Sequence, residues 1–269
     1  MRELVTGHPQ VFYALLGSPV RHVRSPGLFT ARLAEQGLPG KMIAIDVSTE
    51  NLAAALAGFR LAENLAGFLV TMPHKEAIAR LVDSLTPEAA AAGAVNIVRR
   101  NSDGSLVGGQ LDGAGFVAAM KAAGTDPAGQ TIHIAGAGGV SAGIAAALSA
   151  AGAGRIVIAN RSPERAQVLV ARLAAAYPDV QFGVGGDVDP NARILINATS
   201  LGLNADDSLP FPEHTLLPGR FVGDVVNIAT QTPILKLAAE RGCRIQAGQA
   251  MVEPQLALML DFFGQDTTL

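Results

Sequence analysis

HIAGAGGVSAG, residues 133–143, decides how the rest of the chain is read. Its four glycines follow a short apolar run, TIHIA (131–135), and open an alanine-rich stretch over 140–152. The spacing is Gly136-x-Gly138-x-x-Ser141, with a small residue where a third glycine often stands. Gly136 permits a tight turn and Gly138 lets backbone approach a pyrophosphate. Gly139 leads into a helix whose N-terminus offers unpaired N–H groups and the positive end of a dipole. A lone glycine pattern is weak evidence, since a plain strand-to-helix turn uses the same residues. Here a predicted strand precedes the loop, a helix follows, and a second strand, RIVIAN (155–160), comes at the distance a dinucleotide-binding βαβ unit requires.

The end of that second strand bears on which dinucleotide binds. An Asp or Glu about 20 residues past the glycines suits a free ribose 2′-hydroxyl. This chain has Asn160-Arg161-Ser162, with Arg165 one turn further on. Guanidinium forks and a serine hydroxyl match a 2′-phosphate, which favours NADP over NAD. Glu164 among them works against that preference, and both arginines also fit a reading as solvated charges at a helix start. A third strand, RILINAT (193–199), should end at the ligand crevice, making Asn197, Thr199 and Ser200 cofactor neighbours.

Outward from the loop, two textures alternate. Apolar runs at 11–17, 41–47, 65–72 and 220–226 read as further buried parallel strands. Ala- and Leu-rich segments at 25–36, 50–57, 74–83, 116–123, 163–176 and 232–241 read as helices, and Gln249–Phe263 as a closing helix with Pro254 in its first turn. Strands alternating with helices predict an α/β fold with parallel sheets. The expected division is residues 1–112 plus 247–269 as a substrate domain and 113–246 as the dinucleotide-binding domain.

Composition narrows the function. The chain has 269 residues, 49% hydrophobic and 16% charged, which suits a folded protein of two domains. A net charge of −3 without a basic block gives no support for a nucleic-acid partner. The one cysteine, Cys243, excludes an internal disulfide and a cysteine metal cluster. The N-terminus does not read as a signal peptide, and no apolar run is long enough to span a bilayer, so a cytoplasmic protein without membrane contact is expected. The five histidines lack ligand spacing, and Asp187 with Asp189 reads as a loop, so no metal is expected. His133 reads as a satisfied core histidine.

The motifs GSPVRHVRSPGLFT (17–30), VTMPHK (70–75), GAVN (93–96), QLDGAGF (110–116), GAGGVSAG (136–143), NRSPERA (160–166), NATSLG (197–202), TPIL (232–235) and GQAMVEPQ (248–255) resemble, in order and spacing, those of the shikimate dehydrogenase family. The resemblance spans nearly the whole chain. It implies an enzyme with an N-terminal α/β substrate domain, completed by the C-terminal helix, and a Rossmann domain for NADP or NAD, with the reaction in the cleft between them. The reaction would interconvert a ring hydroxyl and a ketone on a cyclohexene or cyclohexane carboxylate, as a monomer or homodimer. Lys75 and Asp112 fall on the catalytic lysine and aspartate. Ser25, Thr71, Asn96, Gln110 and Gln255 fall among the substrate-holding positions, and Met251 resembles the methionine near the nicotinamide. The chemistry agrees: oxidising an alcohol removes a proton as well as a hydride, and a lysine near the oxygen can take that proton while a carboxylate orients it. By themselves, Lys75 also fits an exposed helix start, Asp112 a helix cap, and Met251 simple packing.

The departures from the family cluster at substrate contacts. Val23-Arg24-Ser25 replaces a Ser-x-Ser pair, Leu69 an asparagine, Gln110-Leu111 an Asn-Thr pair, Ile97 a threonine and Asn227 a tyrosine. Each lost hydrogen bond costs about 0.5–1.5 kcal/mol, and up to about 3 with a charged partner. An altered substrate, with weak activity on shikimate itself, is therefore expected. Arg21, His22, Arg24 and His74 are candidate replacements for the lost donors, though each also fits a surface role. The alternatives are a quinate or aminoshikimate dehydrogenase, or a catalytically silent nucleotide- or metabolite-binding protein.

Overall fold

The computed structural model describes residues 11–21, 23–204, 206–228 and 231–264. The chain forms two compact units. One contains the described residues up to Leu85, then Val95–Gly109 and the chain from Met259. The other contains Thr86–Ala94 and Gln110–Leu258.

The first unit holds a six-stranded sheet ordered β2-β1-β3-β5-β6-β4. Its strands are β1 (Phe12–Gly17), β2 (Lys41–Asp46), β3 (Leu65–Val70), β4 (Ser84–Leu85), β5 (Ile97–Arg100) and β6 (Leu106–Gly109). β1 runs parallel to β2 and β3, as the apolar runs predict. β5 is antiparallel to β3 and β6, so this sheet is mixed. The helices are α1 (Ser25–Glu35), α2 (Leu52–Leu61) and α3 (Lys75–Ile78). α3 is one turn, where 74–83 was expected to be helical. The chain is drawn out of the helix at Asp83, whose N–H donates to Leu106 O while its carboxylate accepts from Leu106 N, delivering β4 to the sheet.

The end of the closing helix packs into this unit. Phe263 meets Tyr13 at 4.9 Å and Phe29 at 5.6 Å between ring centroids. Gly67, in the fully buried β3, is the reason the ring can come so close. A Cβ there would lie 2.6 Å from Phe263 and 2.3 Å from Val98 O.

The six-stranded sheet of the second unit is parallel throughout. Its strands are β7 (Thr131–Ala135), β8 (Arg155–Ala159), β9 (Gln181–Val184), β10 (Ile194–Asn197), β11 (Phe221–Asp224) and β12 (Arg244–Gln246). Read across the sheet they run β9-β8-β7-β10-β11-β12, the doubly wound order in which ligands bind where β7 and β10 part direction. Its helices are α4 (Pro87–Ala92), α5 (Asp112–Ala122), α6 (Gly139–Ala150), α7 (Pro163–Ala176) and α8 (Pro233–Glu240), and α9 (Val252–Gly264) begins here. Pro254 is the third residue of α9, in its first turn.

Period-two alternation assigns the two faces of β7. Ile132 and Ile134 join Phe116, Met120, Ile144 and Leu148 in one apolar core. Leu195 and Val222, on β10 and β11, pack with Phe211 on the other face. His133 is 1% exposed against Phe211, and neither ring nitrogen has a partner among the described residues. The expected satisfied histidine is thus buried but unsatisfied, because the groups beside it in the sheet, Val157 and Leu195, offer only apolar side chains.

Candidate functional site

The glycine loop leaves β7 at the switch point. Gly136 has φ +109, and a Cβ there would stand 2.6 Å from Ala198 O, so only glycine lets the loop after β10 come this close. Its N–H donates to Ala159 O at 2.7 Å, and its carbonyl accepts from Ser141 Oγ at 2.6 Å. Ser141, in the third small position, therefore ties the helix back to the turn. Gly138 differs: a Cβ there would meet nothing within 4 Å. Packing places no demand for glycine at 138, so open space beside the backbone is what its lack of a side chain provides. No side chain caps the start of α6. The loop and those N–H groups suit a pyrophosphate.

At the end of β8, Asn160 Nδ2 donates to Ser162 O at 2.9 Å and shapes the turn into α7. Arg161, Ser162 and Arg165 are exposed there, and the Ser162 hydroxyl does not cap the helix. The loop after β10 is organised by Asn197. Its Nδ2 donates to Leu201 O and to Asp224 Oδ1, at 2.9 and 3.0 Å, and its Oδ1 accepts from Thr199 N and Thr199 Oγ1. Asp224 is fully buried and also accepts from Val226 N and, at 2.6 Å, from Thr232 Oγ1. Burial raises its pKa, and these hydrogen bonds offset part of that. Asn197 and Thr199 hold the loop, while Ser200 is exposed on it. Sequence reading passed over Asp224 and Thr232 as members of this network; an acid ending an apolar strand was the available signal. Met251 lies in the unit's apolar core, its carbonyl against Gly115.

Asp112 opens α5 and is 7% exposed. Gln255 Nε2, from α9, donates to its Oδ1 at 2.8 Å. Gln110 Oε1 accepts from the Asp112 N–H at 2.8 Å, and Gln110 Nε2 reaches Gly139 O at 3.4 Å. Within this unit Gln255 thus holds the Asp112 carboxylate, and Gln110 holds the Asp112 backbone.

The first unit gathers the remaining predicted residues at the carboxyl ends of β1 and β3. Thr71 N donates to Leu16 O and Ser18 N to Met72 O, joining the two strand ends. Lys75 opens α3, half-buried, and its carbonyl accepts from Val95 N at 2.9 Å. Asn96 is buried, donating from its N–H to Gly109 O and accepting from Val70 N. Ser25 is the half-buried first residue of α1. His74 is not the free donor it was a candidate to be: its ring is fully buried and Nε2 contacts Val47 O at 2.7 Å, bracing the chain after β2. Arg21 and Arg24 are exposed, and His22 lies outside the described residues. Two departures prove to be one: Leu69 and Ile97 stand opposite each other on β3 and β5, both buried, so a cross-strand apolar pair occupies both positions. Among the described residues no three His, Cys, Asp or Glu side chains gather as a metal site, and no helix is long and apolar enough to cross a membrane.

Comparison with known proteins places these features. A family profile described as "Shikimate dehydrogenase substrate binding domain" matches residues 15–98, and one described as "Shikimate / quinate 5-dehydrogenase" matches 118–201. A shikimate dehydrogenase (NADP(+)) of Rubrobacter xylanophilus is 43% identical over 88% of this chain and 85% of its own length. The crystal structure of shikimate 5-dehydrogenase from Listeria monocytogenes, in complex with shikimate and NAD, matches with TM-score 0.88 at 32% identity, covering 98% of this chain and 94% of that one. The ligand-free 5-ketofructose reductase of Gluconobacter sp. strain CHM43 matches with TM-score 0.87 at 30% identity, covering 97% and 95%.

Proposed function

The chain belongs to the shikimate dehydrogenase family, and from that premise we propose that it interconverts a ring hydroxyl and a ketone on a shikimate-like cyclic carboxylate, using NADP in preference to NAD. The observation that carries the reading is Asp112, a buried carboxylate at the head of α5 with one oxygen held by Gln255. At the glycine loop the cofactor would supply hydride chemistry, as a donor in its reduced form NADPH and as an acceptor in its oxidised form NADP+. Gly136, Gly138 and Gly139 cradle its pyrophosphate. Asn160, Arg161, Ser162 and Arg165 form the turn that meets the 2′-phosphate, and the loop of Asn197, Thr199 and Ser200, with Met251, borders the cofactor. Lys75 takes the hydroxyl proton during oxidation and returns it during reduction, with Asp112 as its carboxylate partner. Ser25, Thr71, Asn96 and Gln255 orient the substrate.

A second reading, an altered substrate with weak turnover of shikimate, rests on the apolar residues Val23 and Leu111 at positions that are polar in the family. Two lost hydrogen bonds at about 1 kcal/mol each would lower shikimate turnover about 30-fold. Absorbance of the reduced nicotinamide, followed with shikimate, quinate and a keto sugar, each with NADP and with NAD, tests both readings. Turnover of shikimate with NADP, abolished in Lys75→Ala, supports the first. Turnover of another substrate alone supports the second. Cofactor binding without turnover across a broad alcohol panel would support a silent binding protein and refute both.

A further inference from the structure

Gln110 stands where the family motif has asparagine, and its side chain is one methylene longer. It is buried, and both ends of its amide are engaged inside its own unit: Oε1 by the Asp112 N–H at 2.8 Å, Nε2 by the Gly139 carbonyl at 3.4 Å. The residue before α5, Leu111, has no side-chain oxygen to cap the helix, so Gln110 supplies the acceptor that the first N–H of α5 lacks. Opposite it, Gly143 sits inside α6, where glycine costs about 1 kcal/mol relative to alanine. A Cβ at 143 would lie 2.7 Å from Gln110 Cδ and 2.9 Å from its Oε1. That clash gives the interior glycine a reason.

We propose that Gln110 is a positioning residue, joining the head of α5, where Asp112 begins, to the first residue of the glycine-loop helix, with Gly143 leaving the space it occupies. This rests on the reading that Asp112 handles the substrate proton with Lys75 and that Gly136–Gly139 bind the dinucleotide. The bridge sets two things at once. It holds the backbone that aims the Asp112 carboxylate, and it holds the carbonyl of Gly139 beside the N–H groups that face the phosphates.

Four variants test it: Gln110→Ala, Gln110→Glu, Gly143→Ala and the double variant Gln110→Ala/Gly143→Ala. The readouts are kcat, the KM of the cyclic substrate, thermal midpoint, and the NADPH dissociation constant by fluorescence titration. Gln110→Ala should lower kcat about tenfold and weaken NADPH several-fold, with the substrate KM within about twofold. Gly143→Ala should displace the glutamine and reproduce both effects, and the double variant should be no worse than either single one, since all remove one bridge. Gln110→Glu is nearly isosteric. It keeps the acceptor for Asp112 N–H but sets an oxygen against the Gly139 carbonyl, so kcat should be partly restored while NADPH binding stays weak. That split also reads the bridge if Gln110→Ala fails to fold. A substrate KM raised tenfold with NADPH affinity unchanged would make Gln110 a substrate contact and overturn the inference. So would loss of thermal stability alone, with all kinetic constants unchanged. Failure of the wild-type protein to bind NADPH would refute the underlying reading, and the inference with it; wild-type binding with unaltered variants refutes the inference alone.

Discussion

Lowering the pH from 6.5 toward about 4 should destabilise the protein through the buried His133, a contribution that one substitution isolates. Its ring lies in β7, 1% exposed, against Phe211 and with no partner on either nitrogen among the described residues. Burial lowers its pKa from 6.5 to about 4, with Asp189 and Asp187 only partly opposing the shift. The folded pKa lies below the unfolded one, so between pH 6.5 and about 4 the unfolded chain binds more protons, and stability falls as pH falls. The effect is absent above pH 6.5 and complete near pH 4, where it amounts to about 3 kcal/mol. Asp224 acts with the opposite sign, because burial raises its pKa and its uptake of a proton on acidification favours the folded state. His133→Leu separates the two. It removes the titrating ring, fills a similar volume on the same apolar face, and leaves Asp224 in place. Urea unfolding of both proteins from pH 8 to pH 4 should give a stability difference, variant minus wild type, that is level above pH 6.5 and grows by about 3 kcal/mol toward pH 4. Parallel profiles would show that the histidine titrates as an ordinary imidazole and would refute the assignment.

Other consequences follow from the loops. Gly136→Ala should lower the thermal midpoint by several degrees, since φ +109 and the Ala198 carbonyl leave no room, whereas Gly138→Ala should leave it unchanged and weaken NADPH binding titrated by fluorescence. Arg161→Ala should raise the dissociation constant for NADP about tenfold and leave that for NAD within about twofold; equal losses for both would make Arg161 a bystander to the 2′-phosphate. Thr232→Val should cost about 1–3 kcal/mol in urea unfolding by stripping a partner from buried Asp224, and an unchanged midpoint would show that the network tolerates its loss.

The parts of the fold legible in the sequence are those with a strong local signal. Buried parallel strands such as 65–70 and 131–135 stand out as apolar runs, and the Gly136–Ser141 turn carries its own conformational demand in its residue types. The pieces passed over are short or half exposed. β9 is exposed at both ends, β12 has three residues, and β4 has two residues and exists because Asp83 pairs with Leu106, a contact across 23 residues. α4 was readable in principle: Thr86 accepts from Ala89 N, Pro87 starts the helix, and Gly93 at φ +61 ends it. Its six alanine-rich residues merged with the surrounding run.

The two halves of the candidate site differ in legibility for a physical reason. A pyrophosphate cradle is made of backbone, so the requirement falls on residues that keep backbone accessible, and glycines announce themselves at fixed spacing. Substrate recognition is made of side chains whose partners come from distant segments, and residue type at one position says little about where the polar atoms go. Gln110 illustrates this. Its motif position suggests a substrate donor, yet its amide closes on Asp112 N–H and Gly139 O, a partner 29 residues away. Leu69 and Ile97 illustrate it again, since two apparent losses of polarity are one cross-strand packing pair. His74 is a third case, a histidine in the VTMPHK motif whose ring braces Val47. Departures from a family pattern are therefore better counted as sets of residues in mutual contact than as single lost hydrogen bonds. By that count Val23 and Leu111 are the two polar-to-apolar changes on which the proposed change of substrate rests.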